Sequence, residues 1–326
     1  MYRHLMIFVC LLLSGINGCS DHSHDAAPAP SYLTIGTGSV TGVYYQLGGS
    51  LATLLSERLQ GQGLRALVER TGGSVYNINA VLSGDLQLGL AQSDRQYQAI
   101  AGLKEWEGQA QTRLRTICSL HSEVVTLVAA SDAGIEQVSD LRGKRVNIGN
   151  RGSGQRGNSL DVLAAYGIEL TELHALEHHP ADAPQLLQEG QLDAFFYTVG
   201  HPNSTIAEAL TGERATRIIP LEGPEITSLI AERPYYTPAA VDLSVYPETG
   251  SQARIPAFGM RATLVVAAGM ADDTAEAITR SIFEELDVLR RGHPALSGLT
   301  RMDLRQGLSA PLHPGAEKYL REAGLL

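Results

Sequence analysis

The sequence predicts an α/β protein of two lobes, joined by two chain crossings and enclosing a ligand cleft. The sequence contains two units in which a short apolar strand is followed by a glycine-rich loop and then by a helix. They lie at residues 33–59 and 145–166. Each unit is followed by a helix end, a glycine and a new strand, at 81–86 and 187–192. Such alternation is typical of a parallel sheet covered by helices.

The N-terminus is predicted to be a signal peptide that spans residues 1–18. The apolar run Leu5–Leu13 has the length of a signal-peptide core and falls short of the about 20 residues that a membrane-spanning helix needs. Ile16 and Gly18 precede Cys19 as in a bacterial lipobox, although Asn17 departs from that pattern.

We therefore expect cleavage before Cys19 and lipid attachment to its thiol. Residues 19–31 would then form a polar tether rich in alanine and proline. An ordinary signal peptide with an incidental Cys19 is the alternative. His22 and His24 are expected to be solvated, and no metal site is predicted.

The first lobe is predicted to comprise residues 32–122 and 236–326. It would begin with the strand Leu33–Gly36, the glycine-rich loop Gly36–Gly42 and the helix Val43–Leu59. Its further elements are expected at 64–68 (strand), 74–82 (helix), 86–91 (strand), 263–267 (strand), 272–290 (helix) and 315–323 (helix).

The second lobe is predicted to comprise residues 123–235. Its strands are expected at 124–130, 145–148 and 192–197, and a second glycine-rich loop, Gly149–Gly154, leads into its main helix. The chain would cross between the lobes near 122–124 and near 233–236, and these two crossings would form a hinge.

The two glycine-rich loops are the main functional signal. A loop between a strand and a helix N-terminus presents free N–H groups and the positive end of the helix dipole, so it can hold an anion. Glycines that merely turn the chain are the alternative for either loop. From the residues alone, the further candidates are polar or aromatic groups at strand ends, helix starts and crossings: Thr37, Ser39, Tyr44, Gln92, Ser93, Asp94, Glu123, Arg151, Ser153, Tyr197 and His201.

Glu123 could receive an ammonium group or be a surface charge, and Arg151 or Arg156 could pair with a carboxylate or be solvated. Neither loop carries a nucleotide-binding fingerprint, and export argues against ATP and NAD, so no cofactor is expected. No hydrolase elbow or zinc-protease motif is present, and we expect no catalysis. An exported hydrolase that uses His121 or His201 is the weaker alternative.

The composition agrees with a folded, soluble protein. Hydrophobic residues make up 44% of the 326 residues and charged residues 18%, which argues against disorder as the main state. The formal net charge is −10, from 35 acidic and 25 basic residues. Nucleic acid is excluded as a partner, because binding it needs clustered cations.

An ordered series of motifs between residues 33 and 270 resembles the TAXI branch of the TRAP-transporter solute-binding proteins. The series comprises Ile35–Tyr45, Thr71–Asn77, Gly89–Asp94, Asp140–Gly149, Gly152–Gly154, Asp193–Tyr197 and Gly200–Pro202. The sequence departs from the usual pattern at Asn150–Arg151, Gln155–Arg156 and His121–Ser122–Glu123.

The resemblance implies a two-lobe periplasmic-binding-protein fold of type II-like topology, with a ligand cleft between lobes joined by a two-stranded hinge. It implies an extracytoplasmic receptor that captures a small organic anion. We expect this receptor to be a monomer, anchored to a membrane by the lipid predicted at Cys19. Glutamate, 2-oxoglutarate-like dicarboxylates and amino acids are the candidate ligands, and TRAP membrane permease subunits the implied partners. A periplasmic ligand sensor that presents its closed form to a membrane sensor is the alternative.

Carried over by position, the resemblance places a set of residues against the ligand. These are Thr37, Gly38, Ser39, Gly42, Val43, Tyr44, Ser74, Asn77, Gln92, Ser93, Asp94, Gly152, Ser153 and Gly154.

Overall fold

The computed structural model describes residues 31–326. The predicted signal peptide 1–18, the lipidation at Cys19 and all of the tether except Ser31 lie outside the described residues. Across the described part of the chain, no helix combines the length and apolar character needed to cross a membrane.

The first part of the chain alternates strands and helices. Its elements are β1 (Ser31–Gly36), α1 (Val43–Arg58), β2 (Leu64–Glu69), α2 (Ser74–Ser83), β3 (Leu88–Gln92) and α3 (Ser93–Ala101). Strand β1 pairs in parallel with both β2 and β3, because each connection between them passes through a helix.

The middle of the chain builds the other side of the sheet. Its elements are β4 (Leu114–Ala130), β5 (Arg145–Asn147), α4 (Gly154–Ala165), β6 (His174–Leu176), α5 (Ala183–Gln188), β7 (Ala194–Val199), α6 (Ser204–Thr211), β8 (Thr216–Ile219), α7 (Pro224–Glu232) and β9 (Thr237–Asp242). Strand β5 pairs in parallel with β6 and β7. Neighbouring Phe195 and Phe196 on β7 are both fully buried and pack into different hydrophobic clusters. Burial on both faces explains why β7 is apolar throughout.

The last elements are β10 (Arg254–Ala267), α8 (Asp272–Glu284), α9 (Leu286–Gly292) and α10 (Pro314–Glu322). The single helix predicted over 272–290 is thus two helices, which meet at Glu285. The strand order is β2-β1-β3-β10-β4-β7-β5-β6, with β8 added to β4 and β9 added to β10.

The long strands β4 and β10 join two hydrophobic cores. Leu120 and Ala262 belong to one core, which is built by β1–β3, α1 and α8–α10. Val125 and Met260 belong to another, built mainly by β4, β5, β7, β8, α4, α7 and the first half of β10. We name the parts around these cores lobe I and lobe II. The α/β fold of two lobes joined by two strands is therefore confirmed.

The second crossing differs from the sequence prediction. It lies in β10, between Met260 and Ala262, and not near 233–236. The breaker-rich segment after α7 turns the chain into β9, which pairs antiparallel with the first half of β10. Residues 236–260 therefore pack with lobe II, whereas the sequence assigned them to lobe I. The strand prediction at 263–267 covered only the lobe I half of β10.

Candidate functional site

Three helices begin at one cavity between the lobes. Gly42 and Gly73 precede α1 and α2 in lobe I, and Ser153 precedes α4 in lobe II. The cavity has a volume of about 60 Å³. Its lining consists of Gly38, Ser39, Gly42, Val43, Tyr44, Gly72, Gly73, Ser74, Gln92, Glu123, Asn150, Ser153, Gly154, Gln155, Pro180, Tyr197, Thr198 and Val199.

The glycines at these helix starts allow the lobes to approach each other. Gly73 has a φ of +110°, a backbone conformation that disfavours other residues. A Cβ on Gly154 of lobe II would overlap the amide group of Gln92 and lie 2.9 Å from the Ser74 hydroxyl, both in lobe I. The glycine-rich loops therefore serve interlobe packing as well as chain turning.

The helix starts leave backbone donors free at the cavity. The first N–H groups of a helix have no acceptor within it, and the glycines before α1 and α2 have no side chain to cap them. Before α4, the Ser153 hydroxyl accepts from the Arg156 N–H. Residues Val43, Tyr44, Ser74, Gly154 and Gln155 hold these positions and line the cavity. The positive ends of three helix dipoles add to the attraction for an anion.

Three polar side chains of the cavity have a buried atom without a hydrogen-bond partner in the described part of the protein. They are Gln92 (Oε1), Gln155 (Nε2) and Thr198 (Oγ1), and each residue is at most 5% exposed. An unpaired buried polar atom costs free energy, roughly 1–3 kcal/mol, so such atoms normally have a protein or solvent partner. These atoms are therefore available to a ligand or to water.

Glu123 supplies a carboxyl to the cavity. It lies on β4 at the crossing and is 4% exposed. The Tyr44 hydroxyl donates a hydrogen bond of 2.8 Å to its Oε2 atom. Burial raises the pKa of Glu123 to about 8, the Tyr44 hydrogen bond lowers it, and the charge of Asp94 adds to the rise. Burial and the nearby Glu123 carboxyl raise the pKa of Tyr44 and Tyr197.

The conformation is closed around the cavity. The side-chain amide of Asn203 in lobe II donates to the Thr41 carbonyl of lobe I at 2.8 Å. At another point of the rim, the Tyr76 N–H of lobe I donates to the Gly152 carbonyl of lobe II at 3.0 Å. A ligand much larger than the cavity would need the lobes to separate.

Most of the residues singled out in the sequence share this cavity. They are Gly38, Ser39, Gly42, Val43, Tyr44, Ser74, Gln92, Glu123, Ser153, Gly154 and Tyr197. The structure places the others outside its lining, and their contacts explain their positions.

Thr37, Asn77 and Ser93 organise lobe I behind the cavity. The Asn77 amide donates to the carbonyls of Thr37 and Leu90, at 2.7 and 2.8 Å. The Ser93 hydroxyl accepts from the Arg261 N–H at 3.2 Å, which ties α3 to the crossing strand β10. These residues thus hold the glycine-rich loop of lobe I and the hinge in place.

Asp94 belongs to a buried cluster of charged and polar groups between the lobes. Its Oδ2 atom lies 2.9 Å from Arg95 Nη2 of lobe I and accepts from the Asn158 amide of lobe II at 2.6 Å. Asp161 of lobe II lies 3.6 Å from the same Arg95 atom and accepts from the Tyr236 hydroxyl at 2.8 Å. We name Asp94, Arg95, Asn158, Asp161 and Tyr236 the interlobe cluster. All five side chains are buried.

Arg151 lies on the outer rim of the cleft. Its side chain is 86% exposed, and its Nε atom is 2.7 Å from Glu177. Arg156 pairs with the same carboxylate at 2.8 Å. These ion pairs hold both guanidinium groups outside the lining of the cavity.

Gly152 and His201 also lie outside the cavity lining. The Gly152 carbonyl is engaged in the rim contact with Tyr76. The His201 ring contacts the hydroxyls of Thr126 and Tyr246, and burial lowers its pKa to about 4. His201 is thus a packed side chain of lobe II.

The sequence did not single out the remaining lining residues as site residues: Gly72, Gly73, Asn150, Gln155, Pro180, Thr198 and Val199. Asn150 and Gln155 lie at positions where the sequence departs from the pattern of the family that it resembles. Gly72 and Gly73 directly precede Ser74, and Thr198 and Val199 directly follow Tyr197, so proximity to those residues was the available signal. Pro180 enters from a turn that carries no motif. Among residues 31–326, no group of three or more metal-ligating side chains occurs.

Solved structures share the fold at low sequence identity. A Bordetella bronchiseptica RB50 protein is 13% identical, with a TM-score of 0.54, over 91% of this chain and 99% of that one. An ancestral arginine-binding protein bound to arginine is 14% identical, with a TM-score of 0.50, over 83% and 100%. A Xanthomonas citri protein bound to chloride is 13% identical, with a TM-score of 0.50, over 90% and 97%.

A model of the NMT1-like family matches residues 35–324, which is nearly the whole of the described chain. The motifs of both lobes and the residues around the cavity lie within this match. The chain belongs to the NMT1-like family.

Proposed function

We propose that this protein is the extracytoplasmic solute-binding component of a membrane transporter and captures a small organic anion between its lobes. The observation that carries the proposal is the convergence of three helix N-termini, from both lobes, on one small cavity. The protein binds and releases its solute without converting it.

The recognition follows from the groups in the cavity wall. A carboxylate or similar anion would accept hydrogen bonds from the first N–H groups of α1, α2 and α4. Each helix end contributes about 0.3–1 kcal/mol to such an anion, and up to about 2 kcal/mol where the site is partly buried. Since donors come from both lobes, binding favours the closed form over the open one.

The finer assignment is to a TAXI-type TRAP system, in which this chain would deliver its solute to the permease subunits. The support is the ordered series of motifs from Ile35 to Pro202. Cys19 would carry a lipid that anchors the monomeric protein to a membrane, and the lipobox-like sequence before it supports this.

A thermal-shift screen of the purified protein tests the proposal. The panel would contain monocarboxylates, dicarboxylates, amino acids, sulfonates, phosphate and sugars. A solute present at about 100 times its dissociation constant stabilises the folded state by about 2.7 kcal/mol, which gives a measurable rise in melting temperature. We expect a rise with carboxylate-bearing solutes.

Gly154→Ala provides the matched variant. A methyl group at Gly154 would displace the Gln92 amide and press on Ser74, so we expect it to abolish the shift. Gly49→Ala is the control, since a Cβ there meets no atom within 4 Å and Gly49 lies in α1, away from the cavity. An unchanged shift in Gly154→Ala, or no shift with any solute after unfolding and refolding, would overturn the proposal.

A further inference from the structure

The cavity wall carries one acidic side chain, and no cationic side chain among the described lining residues lies beside it. Glu123 is the only Asp or Glu in the lining that the structure describes, and no Arg or Lys is among those residues. The Tyr44 hydroxyl donates the one hydrogen bond that the structure gives this carboxyl. The helix N-termini attract an anionic group, whereas the carboxylate form of Glu123 attracts a cationic group.

The arginines of the elements around the cleft have partners other than Glu123. Arg261, which follows the partner of Glu123 on β10, donates to the hydroxyls of Ser119 and Ser122 at 3.0 Å each. Arg95 is held in the interlobe cluster by Asp94 and Asp161. Arg151 is paired with Glu177 on the rim. A buried carboxylate without a cationic partner is costly, so the ionised form of Glu123 needs a positive charge from elsewhere.

We propose that the cavity selects small zwitterions, whose anionic group lies at the helix N-termini while a protonated amine contacts Glu123. This inference rests on the proposed function and names its substrate class. A dicarboxylate would bring a second negative charge towards Glu123 without a partner for it. The small volume of about 60 Å³ also favours a compact ligand.

The proposal of zwitterion binding predicts a change in the protonation of Glu123 that can be measured. Burial raises its pKa to about 8, so the empty cavity holds a neutral carboxyl at pH 7. The other titratable groups that act on it are Tyr44 from α1, Asp94 from α3 and Tyr197 from β7. None of them supplies a positive charge, whereas the amine of a ligand favours the ionised carboxylate. Binding of a zwitterion at pH 7 should therefore release close to one proton.

Titration calorimetry with matched pairs of solutes tests the inference. The probes are alanine against propionate, taurine against ethanesulfonate, and glutamate against glutarate, so the members of a pair differ chiefly in the amine. We expect one or more of the amine-bearing members to bind at least tenfold more tightly than its partner. Repeating the titration in buffers of different ionisation enthalpy measures the released proton.

Glu123→Gln is the decisive variant, because it keeps the shape of the side chain and removes its charge. We expect it to weaken binding of the amine-bearing solute tenfold or more and to leave the amine-free partner unchanged. Glu248→Gln, at an exposed position, is the control and should match the wild type. Circular dichroism would establish that both variants fold.

The outcomes separate this inference from the proposed function. Tighter binding of glutarate or propionate than of the amine-bearing partners, with no proton release, would mean that Glu123 donates a hydrogen bond to an anion. That result would overturn the inference and leave the proposed function standing. Equal affinities of wild type and Glu123→Gln for the zwitterion would also overturn it. If no solute binds at all, the proposed function itself fails.

Discussion

Asp161→Asn is expected to weaken solute binding by loosening the closed state. In the interlobe cluster, Asp161 Oδ2 of lobe II lies 3.6 Å from Arg95 Nη2 of lobe I. Its other carboxylate oxygen lies 3.2 Å from Lys104 Nζ, also in lobe I. Asparagine keeps an oxygen that can accept from the Tyr236 hydroxyl but loses the charge that attracts both cations.

The size of the effect follows from these distances. Two unit charges 3.6 Å apart attract by roughly 4–5 kcal/mol at an effective dielectric constant of about 20. Desolvation of the Asp161 carboxylate offsets part of this attraction, and Asp94 still neutralises Arg95 in the variant. We therefore expect a net loss of about 1.5–3 kcal/mol from the closed state, which corresponds to an increase of roughly 10- to 100-fold in Kd.

Burial makes Arg95 a suitable partner for this test. Desolvation lowers the pKa of its guanidinium, but the charge and hydrogen bond of Asp94 outweigh this, and the net pKa is raised. Arg95 therefore stays charged over the whole accessible pH range. When the lobes separate, water can replace Asp161 around it, so the cost of the substitution falls mainly on the closed form.

The assay combines titration calorimetry with small-angle X-ray scattering. Calorimetry measures the Kd of the solute that gives the largest thermal shift, and the radius of gyration reports closure. Asp287→Asn is the control, because the Asp287 side chain is 69% exposed and pairs with Arg290 of its own helix. A Kd for Asp161→Asn within twofold of the wild type, with an unchanged radius of gyration, would refute the role of the cluster in closure.

Two further predictions concern the remaining charges at the cleft. Arg151→Ala should leave solute affinity within about twofold of the wild type. Arg151 pairs with Glu177 outside the cavity, and exposed ion pairs contribute little free energy. A tenfold loss of affinity in calorimetry would instead mean that the Arg151 guanidinium contacts the ligand. The stability of the empty protein should fall as the pH rises from about 4.5 to about 8, because Glu123 has its usual pKa of 4.5 when unfolded and a raised pKa of about 8 when folded. Over that window the folded protein binds more protons, so the melting temperature of the wild type should decline more steeply than that of Glu123→Gln, and parallel curves would contradict this.

Much of the fold and part of the cavity could be predicted from local sequence patterns. Strand–loop–helix units follow from apolar spacing and from glycines that end helices, and these signals depend only on neighbouring residues. The same logic predicted that Gly42, Ser153 and Gly154 stand at helix starts, where backbone donors are free. Glu123 was recognised from its place at a crossing, although its pairing with Tyr44 was not visible.

Long-range packing decided what local signals could not. The sequence placed the second crossing at the proline-rich segment after α7, whereas β9 and the first half of β10 pair within lobe II. Strand partners depend on contacts between distant residues, so a breaker in the sequence marks a turn without saying which lobe follows it.

The charged candidate residues show the same difference between what local sequence predicts and what long-range contacts decide. By itself, the sequence determined the α/β class and the glycine-rich helix starts, because periodicity and backbone freedom are local properties of the chain. Only the tertiary structure decided that Asp94 pairs with Arg95 in the interlobe cluster, that Arg151 faces Glu177 on the rim, and that Glu123 enters the cavity without a cation. A charge takes its role from the partners that folding brings within a few ångströms, and those partners lie far away in the sequence.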